Sequence, residues 1–301
     1  MRVFLNLRKG LDRIGVRYRV NDYRHARQHP DETVCIVGKS WLLDATAWRN
    51  PIVFGASVFS HPIEDPHLLE RLPIIRILVP GEWMRKMWEP YYGDTVVSWP
   101  VGIDTDLWTP SPAVVKQVDV LLYDKVLWEH DVKERSLIDP IRAEVRRRGL
   151  TIETLRYGKY RENEFHDLLR RCRAMVFLCE HETQGIAYQQ ALSCDVPIFA
   201  WDRGGYWQDP SFFPTIRFSP VSSVPYWDDR CGMKFRDAAE FRDEFDSFWS
   251  MVQCGGFSPR SFILEHLTLE NCAERYVRIV HEAKSAHTDV RCGATRLSGP
   301  P

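Results

Sequence analysis

The chain predicts an α/β protein of two doubly wound lobes, each a parallel sheet with helical crossovers, and three observations carry that prediction. Strand-length apolar runs alternate with segments of helical period along most of the sequence. The runs 174–179 (AMVFLC) and 196–200 (VPIFA) are apolar without alternation, as expected of strands covered on both faces. Finally, 301 residues at 44% hydrophobic composition suffice for two cores of ordinary size.

The elements follow in order. Val3, Phe4, Leu7, Leu11 and Ile14 recur at helical spacing, and Gly15 stops that helix. Strands are expected at 16–20, 33–37, 51–59, 74–79 and 95–99, with helices at 66–71 and 82–89. A doubly wound lobe ordinarily opens with a strand and a glycine-rich turn, whereas this chain opens with a helix. The first lobe is therefore expected to lack its first strand, either because the chain is a fragment or because the lobe is reduced. In the second lobe, strands are expected at 118–123, 151–157, 174–179 and 196–200, and helices at 138–148 and 162–172. A further helix opens near Thr183, a candidate N-cap. The stretch from 210 through 227 is rich in turn formers and aromatics and reads as irregular, followed by helical patterns at 236–253 and 259–284. The expected domains are 1–108, 109–285 and a disordered tail at 286–301.

Composition excludes several classes. A formal net charge of −1 provides no global basic field for nucleic acid. No run has the length of a transmembrane helix and no signal-peptide core opens the chain, so the default is cytoplasmic, with peripheral contact at a membrane left open. The eight cysteines include no Cys-x2-Cys pair, and several sit in buried-looking elements, which reads as reduced packing thiols. Arg146, Arg147 and Arg148 end a helix before Gly149, where cations complement the helix dipole. Of the eleven tryptophans, Trp83 and Trp88 read as core residues, while Trp201, Trp207 and Trp227 fall near the candidate site in sequence.

That site is the segment 182–205, ETQGIAYQQALSCDVPIFAWDRGG: an acidic residue, a short helix, a buried strand and a glycine turn in succession. Gly185 removes side-chain bulk at the first helical turn, so backbone N–H groups there can meet a phosphate at the positive end of the helix. The plainer alternative is an ordinary strand-helix-strand unit of another doubly wound protein. No Gly-x-Gly-x2-Gly follows any expected strand, which removes a dinucleotide oxidoreductase. No Asp-x-Asp metal motif stands after a strand.

The segment resembles the sugar-nucleotide signature of the family 4 glycosyltransferases (glycosyl transferases group 1), whose GT-B architecture has two Rossmann-like lobes. The family's Glu-x7-Glu pattern puts Glu182 at the first Glu and Gln190 at the second, with Ala191, Cys194 and Pro197 in register. Gln190 and Asp195 depart from the usual Glu and Gly. The stretch 97–110, VSWPVGIDTDLWTP, is similar to the family's interdomain segment. What the resemblance implies is a hexosyltransferase-like enzyme moving a sugar from a nucleoside diphosphate to a carbohydrate, lipid-linked or small-molecule acceptor. It further implies retention of configuration, no metal, no cofactor beyond the nucleotide sugar as co-substrate, and a last helix that crosses back onto the first lobe. It makes Glu182 and His61 the catalytic candidates. Lys125, Glu180, Thr183, Gln184, Gly185, Ile186 and Gln190 are the donor-binding candidates. Relatives place a second cation five residues after the first, where this chain has His130. For Lys125 a solvated loop lysine is the alternative, and for His61 a turn histidine beside Pro62. Two other functions stay open: a non-catalytic GT-B-like binding scaffold, motivated by the departures at 190 and 130, and a nucleotide-sugar epimerase.

Overall fold

The computed structural model describes residues 2–55 and 59–296, and side chains as far as residue 288. The chain divides into two compact units, Met1–Gly102 with Leu269–Pro301, and Ile103–Thr268.

Unit 1 begins with α1 (Arg2–Arg13), whose buried face is Leu7, Gly10 and Leu11. Next come α2 (Tyr23–Gln28), β1 (Val34–Ile36), β2 (Ile52–Gly55), α3 (Leu68–Arg71), β3 (Ile74–Val79), α4 (Glu82–Tyr92) and β4 (Val96–Ser98). The four strands pair in parallel in the order β1-β2-β3-β4. One helix packed on this sheet is α4, which buries Trp83, Met84, Met87 and Trp88, so the two tryptophans are core residues as expected. The expected strand at 16–20 is not one. Instead, Tyr18 Oη donates to Asp12 on α1 at 2.6 Å and accepts from Arg8 Nε, tying the segment back to the helix that precedes it. Of the strand expected at 51–59, β2 covers the first part and residues 56–58 lie outside the described residues.

Unit 2 holds β5 (Val118–Lys125), α5 (His130–Lys133), a π-helical turn (Glu134–Ile138), α6 (Asp139–Arg147), β6 (Ile152–Arg156), α7 (Glu162–Arg171) and β7 (Cys172–Cys179). It continues through α8 (Ile186–Ser193), β8 (Ile198–Trp201), β9 (Gly232–Phe235), α9 (Ala238–Cys254) and α10 (Pro259–His266). All five strands are parallel in the order β6-β5-β7-β8-β9. Strands β7 and β8 are buried along nearly their whole length, which is why 174–179 and 196–200 read as unbroken apolar runs. One face of this sheet meets an aromatic core in which Phe199 stacks on Phe241 and Phe248 with centroids 5.2 and 4.9 Å apart. Cys172, Cys179, Cys194 and Cys231 are buried free thiols in this unit. Burial pushes the thiols of Cys172, Cys194 and Cys231 up to about 12.

The pattern expected as one helix over 259–284 is two. It breaks at Leu267 and Thr268, where Leu267 O accepts from Ile103 N and Thr268 forms a parallel bridge with Ile103. The chain then re-enters unit 1 as α11 (Leu269–Arg296), which packs along α1. Gly10 permits that approach: a Cβ there would lie 2.5 Å from Leu269 O and 2.9 Å from Ala273 Cβ. Helix α11 runs into the stretch expected as a tail, and residues 297–301 lie outside the described residues.

Candidate functional site

The chain leaves β5 toward β6 on one side and returns through α7 to β7 on the other, so unit 2 has its topological switch point between β5 and β7. Ligands of open parallel sheets bind outside the carboxyl ends of the strands at such a point. Lys125 ends β5, Glu180 and Glu182 follow β7 directly, and α8 opens from the same loop. The sequence therefore brings together at one sheet edge residues 57 positions apart.

Lys125 and Glu182 form the centre. Nζ donates to Glu182 Oε1 at 2.5 Å, and the two side chains are only 16% and 9% exposed. Burial alone pulls the Lys125 ammonium down, but the charge and hydrogen bond of Glu182 outweigh it and hold the group above its ordinary value. Nζ also stands 4.7 Å over the ring of Tyr157, at the end of β6. The backbone of Glu182 is fixed by donation from its N–H to Ser222 O at 2.9 Å.

The cap of α8 is Gly185 and not Thr183. Gly185 has φ +78, and a Cβ there would fall 1.9 Å from Tyr188 Cε1, so a side chain is excluded both by backbone and by space. Tyr188 is fully buried because its hydroxyl accepts from Tyr226 N and donates to Tyr226 O, pinning the loop after β8. No side chain caps the helix, so its N-terminal amides, beginning with Ile186, are presented to whatever anion the mouth receives. Gln184 donates from Nε2 to Gln189 Oε1 and accepts at its carbonyl from Gln189 Nε2, which braces the loop against the helix. Gln190 is buried on α8.

Two candidates have other duties. The Glu180 carboxylate accepts from the N–H groups of Leu127 and Trp128 at 2.9 to 3.1 Å, shaping the loop after β5. His61 belongs to unit 1 and is buried, its Nδ1 accepting from Ile63 N as the cap of the turn Pro62–Glu64. Burial holds its pKa below the ordinary value against the pull of Glu64.

The face of β5 opposite Lys125 carries a charge network that spacing did not disclose. Asp124 accepts from His130 Nε2 at 2.8 Å and from Arg156 at 2.7 Å, His130 Nδ1 stands 3.5 Å from Glu134, and Arg142 bonds Glu134. Three ligand-type atoms of Asp124, His130 and Glu134 thus gather within 4.8 Å of one another, but two arginines already neutralise the carboxylates. His130 is accordingly turned to Asp124. Sequence reasoning also missed His181, whose ring meets Trp128 at 5.1 Å and Trp207 at 6.3 Å. Burial, with the nearby positive charges of Lys125 and Arg203, lowers its pKa to about 4 despite Asp209.

The structure is similar over 94% of its length to AviGT4, a glycosyltransferase involved in avilamycin A biosynthesis, with TM-score 0.58, 13% identity and 89% of that chain covered. The fold is GT-B. Sucrose-phosphate synthase from Thermosynechococcus elongatus is similar with TM-score 0.55 and 11% identity, over 84% of this chain and 74% of that one. A point mutant of TarM from S. aureus, solved with fondaparinux, alpha-GlcNAc-glycerol and UDP, gives TM-score 0.55 and 11% identity over 79% of this chain. The chain spans 52% of that TarM chain. At these identities the likeness is one of GT-B fold. No protein-family model matches the chain, and no curated protein sequence matches it.

Proposed function

We propose that the chain is a glycosyltransferase that moves a sugar from a nucleoside diphosphate to an acceptor hydroxyl, without a metal and with retention of configuration. The observation that carries this reading is the buried Lys125–Glu182 pair beside the uncapped start of α8, at the switch point of a parallel sheet. Transfer breaks the bond between the sugar and its phosphate, and negative charge grows on the departing oxygen. The amides of α8 and the ammonium of Lys125 are the groups that meet that charge. Glu182 then faces the sugar, accepts from its hydroxyls and balances the positive charge of an oxocarbenium-like transition state. In the resting site the Glu182 carboxylate holds the Lys125 ammonium charged until a donor enters. Carbohydrates and lipid-linked or small hydroxyl compounds are the acceptor classes in view, and the UDP present in the TarM complex makes UDP the first nucleotide to try.

The test is thermal unfolding with UDP, GDP and ADP, followed by transfer or hydrolysis of the matching sugar nucleotides. A bound diphosphate raises Tm through linkage, about 2.7 kcal/mol at one hundred times Kd. Glu182→Ala is expected to abolish turnover. No shift with any of the three and no breakdown of their sugars sinks the reading. The engagement of His130 by Asp124 favours one second reading, a GT-B binding scaffold without turnover, whose signature is a Tm shift with no sugar release.

A further inference from the structure

A nucleoside diphosphate carries two adjacent negative phosphates, and its affinity depends on cations not already matched by carboxylates. At this end of the sheet most cations are matched. Lys125 is on Glu182, and Arg156 is on Asp124. Two are not. Lys133, on α5, and Arg203, just beyond β8, both stand against the indole of Trp201, with Nζ 5.7 Å and Cζ 5.6 Å from the ring centroid. Neither pairs with a carboxylate among the described residues. The guanidinium of Arg203 bonds Gln208 through Nη2, yet its Nε is buried and has no hydrogen-bond partner. An orphaned buried donor of this kind is uncommon and calls for an acceptor that completes it.

The position fits such an acceptor. His181, next to Glu182, feels the charges of both Lys125 and Arg203, and Arg203 feels Glu180, so the guanidinium belongs to the same electrostatic neighbourhood as the central pair. Gly204 and Gly205 follow, and a Cβ built on either meets nothing within 4 Å, so space is open beside the backbone that carries Arg203. Burial pulls the guanidinium below its ordinary pKa, and Glu180 and Glu129 oppose that. A second negative group would stabilise it further.

Resting on the nucleotide-sugar reading above, we propose that Arg203, with Lys133 on the same indole, is the cation pair that grips the diphosphate, the place His130 does not fill. Arg203 touches the phosphates and is a binding residue; Lys133 adds charge behind it. Isothermal titration of the full chain uses whichever of UDP, GDP and ADP raises Tm most, alongside the matching nucleoside. Arg203→Gln is expected to weaken diphosphate binding at least tenfold and to leave nucleoside binding within twofold. Arg203→Lys should recover part of the loss, and Lys133→Gln should weaken the diphosphate severalfold without touching the nucleoside. If Arg203→Gln does not fold by circular dichroism, the Lys133 and Arg203→Lys variants carry the same comparison. Unchanged diphosphate affinity in the variants, with the wild type binding, overturns the cation assignment and leaves the nucleotide reading standing. A wild type that binds none of the three overturns both. An equal loss for diphosphate and nucleoside reduces Arg203 to a packing residue and also overturns the proposal.

Discussion

At the scale of single residues, the Lys125–Glu182 pair has an asymmetric energetics. Removing one member leaves the other charge in a site that burial disfavours, at about 3–5 kcal/mol for a pair of this kind, whereas removing both leaves a neutral site. Glu182→Gln should therefore lower urea stability more than the Lys125→Met/Glu182→Gln double variant does, and a double-mutant cycle reads the coupling. A positive change from single to double is the expected sign. His181 supplies a pH test. Its pKa is lowered to about 4 from an ordinary 6.5, so between those values the unfolded chain binds the proton and the folded chain does not. Stability is thus expected to rise with pH across that window and to be lost as pH falls through it. His181→Gln should flatten the slope of unfolding free energy there, and an unchanged slope refutes the assignment. Glu182, Lys125 and Gly185 stand at strand ends and a helix start, positions legible in the sequence because charge and glycine placement follow directly from the turn after a strand. It did not find His181 or the Asp124 network, since those depend on which face of β5 and which ring each side chain meets.

At the scale of elements, packing overrides propensity at Gly10. Alanine in a helix interior is worth about 1 kcal/mol over glycine, yet the Cβ would sit 2.5 Å from the Leu269 carbonyl on α11. Overpacking of that sort costs about 1–3 kcal/mol, so Gly10→Ala is expected to lower Tm, and a rise would show that α1 and α11 yield easily. The same competition explains what sequence could read. Strands at 174–179 and 196–200 were legible because burial on both faces writes itself as an apolar run. Strand β9, GMKF, was not, since four residues with a glycine and a lysine show no period, and only pairing with β8 makes them a strand. The break between α10 and α11 was hidden as well. Apolar residues keep helical spacing through Phe262, Leu269, Cys272 and Tyr276, and the interruption comes from the bridge to Ile103, a partner far away in sequence.

At the scale of the whole molecule, unit 1 is made of two separated stretches of chain and unit 2 of one continuous stretch. Unit 2 has its own five-stranded sheet and its own aromatic core, which are the requirements for independent folding. Residues 103–268 expressed alone are expected to unfold cooperatively and to bind the same nucleoside diphosphate as the full chain, as measured by calorimetry. A piece that stays unfolded counts against unit 2 as a domain. The fold class was legible at this scale because alternation of strands and helices constrains topology strongly.

The parallel bridge between Ile103 and Thr268 fixes the first and last residues of unit 2 as neighbours, at about the 4.8 Å spacing of adjacent strands. A module whose entrance and exit share one doorway can be excised as a cassette, sealed head to tail by a few glycines, and reopened in the surface turn at Gly158 without disturbing its sheet. Such a rewired variant would carry the five-stranded sheet and the Lys125–Glu182 site in a transplantable form, portable into any host loop whose two ends lie equally close.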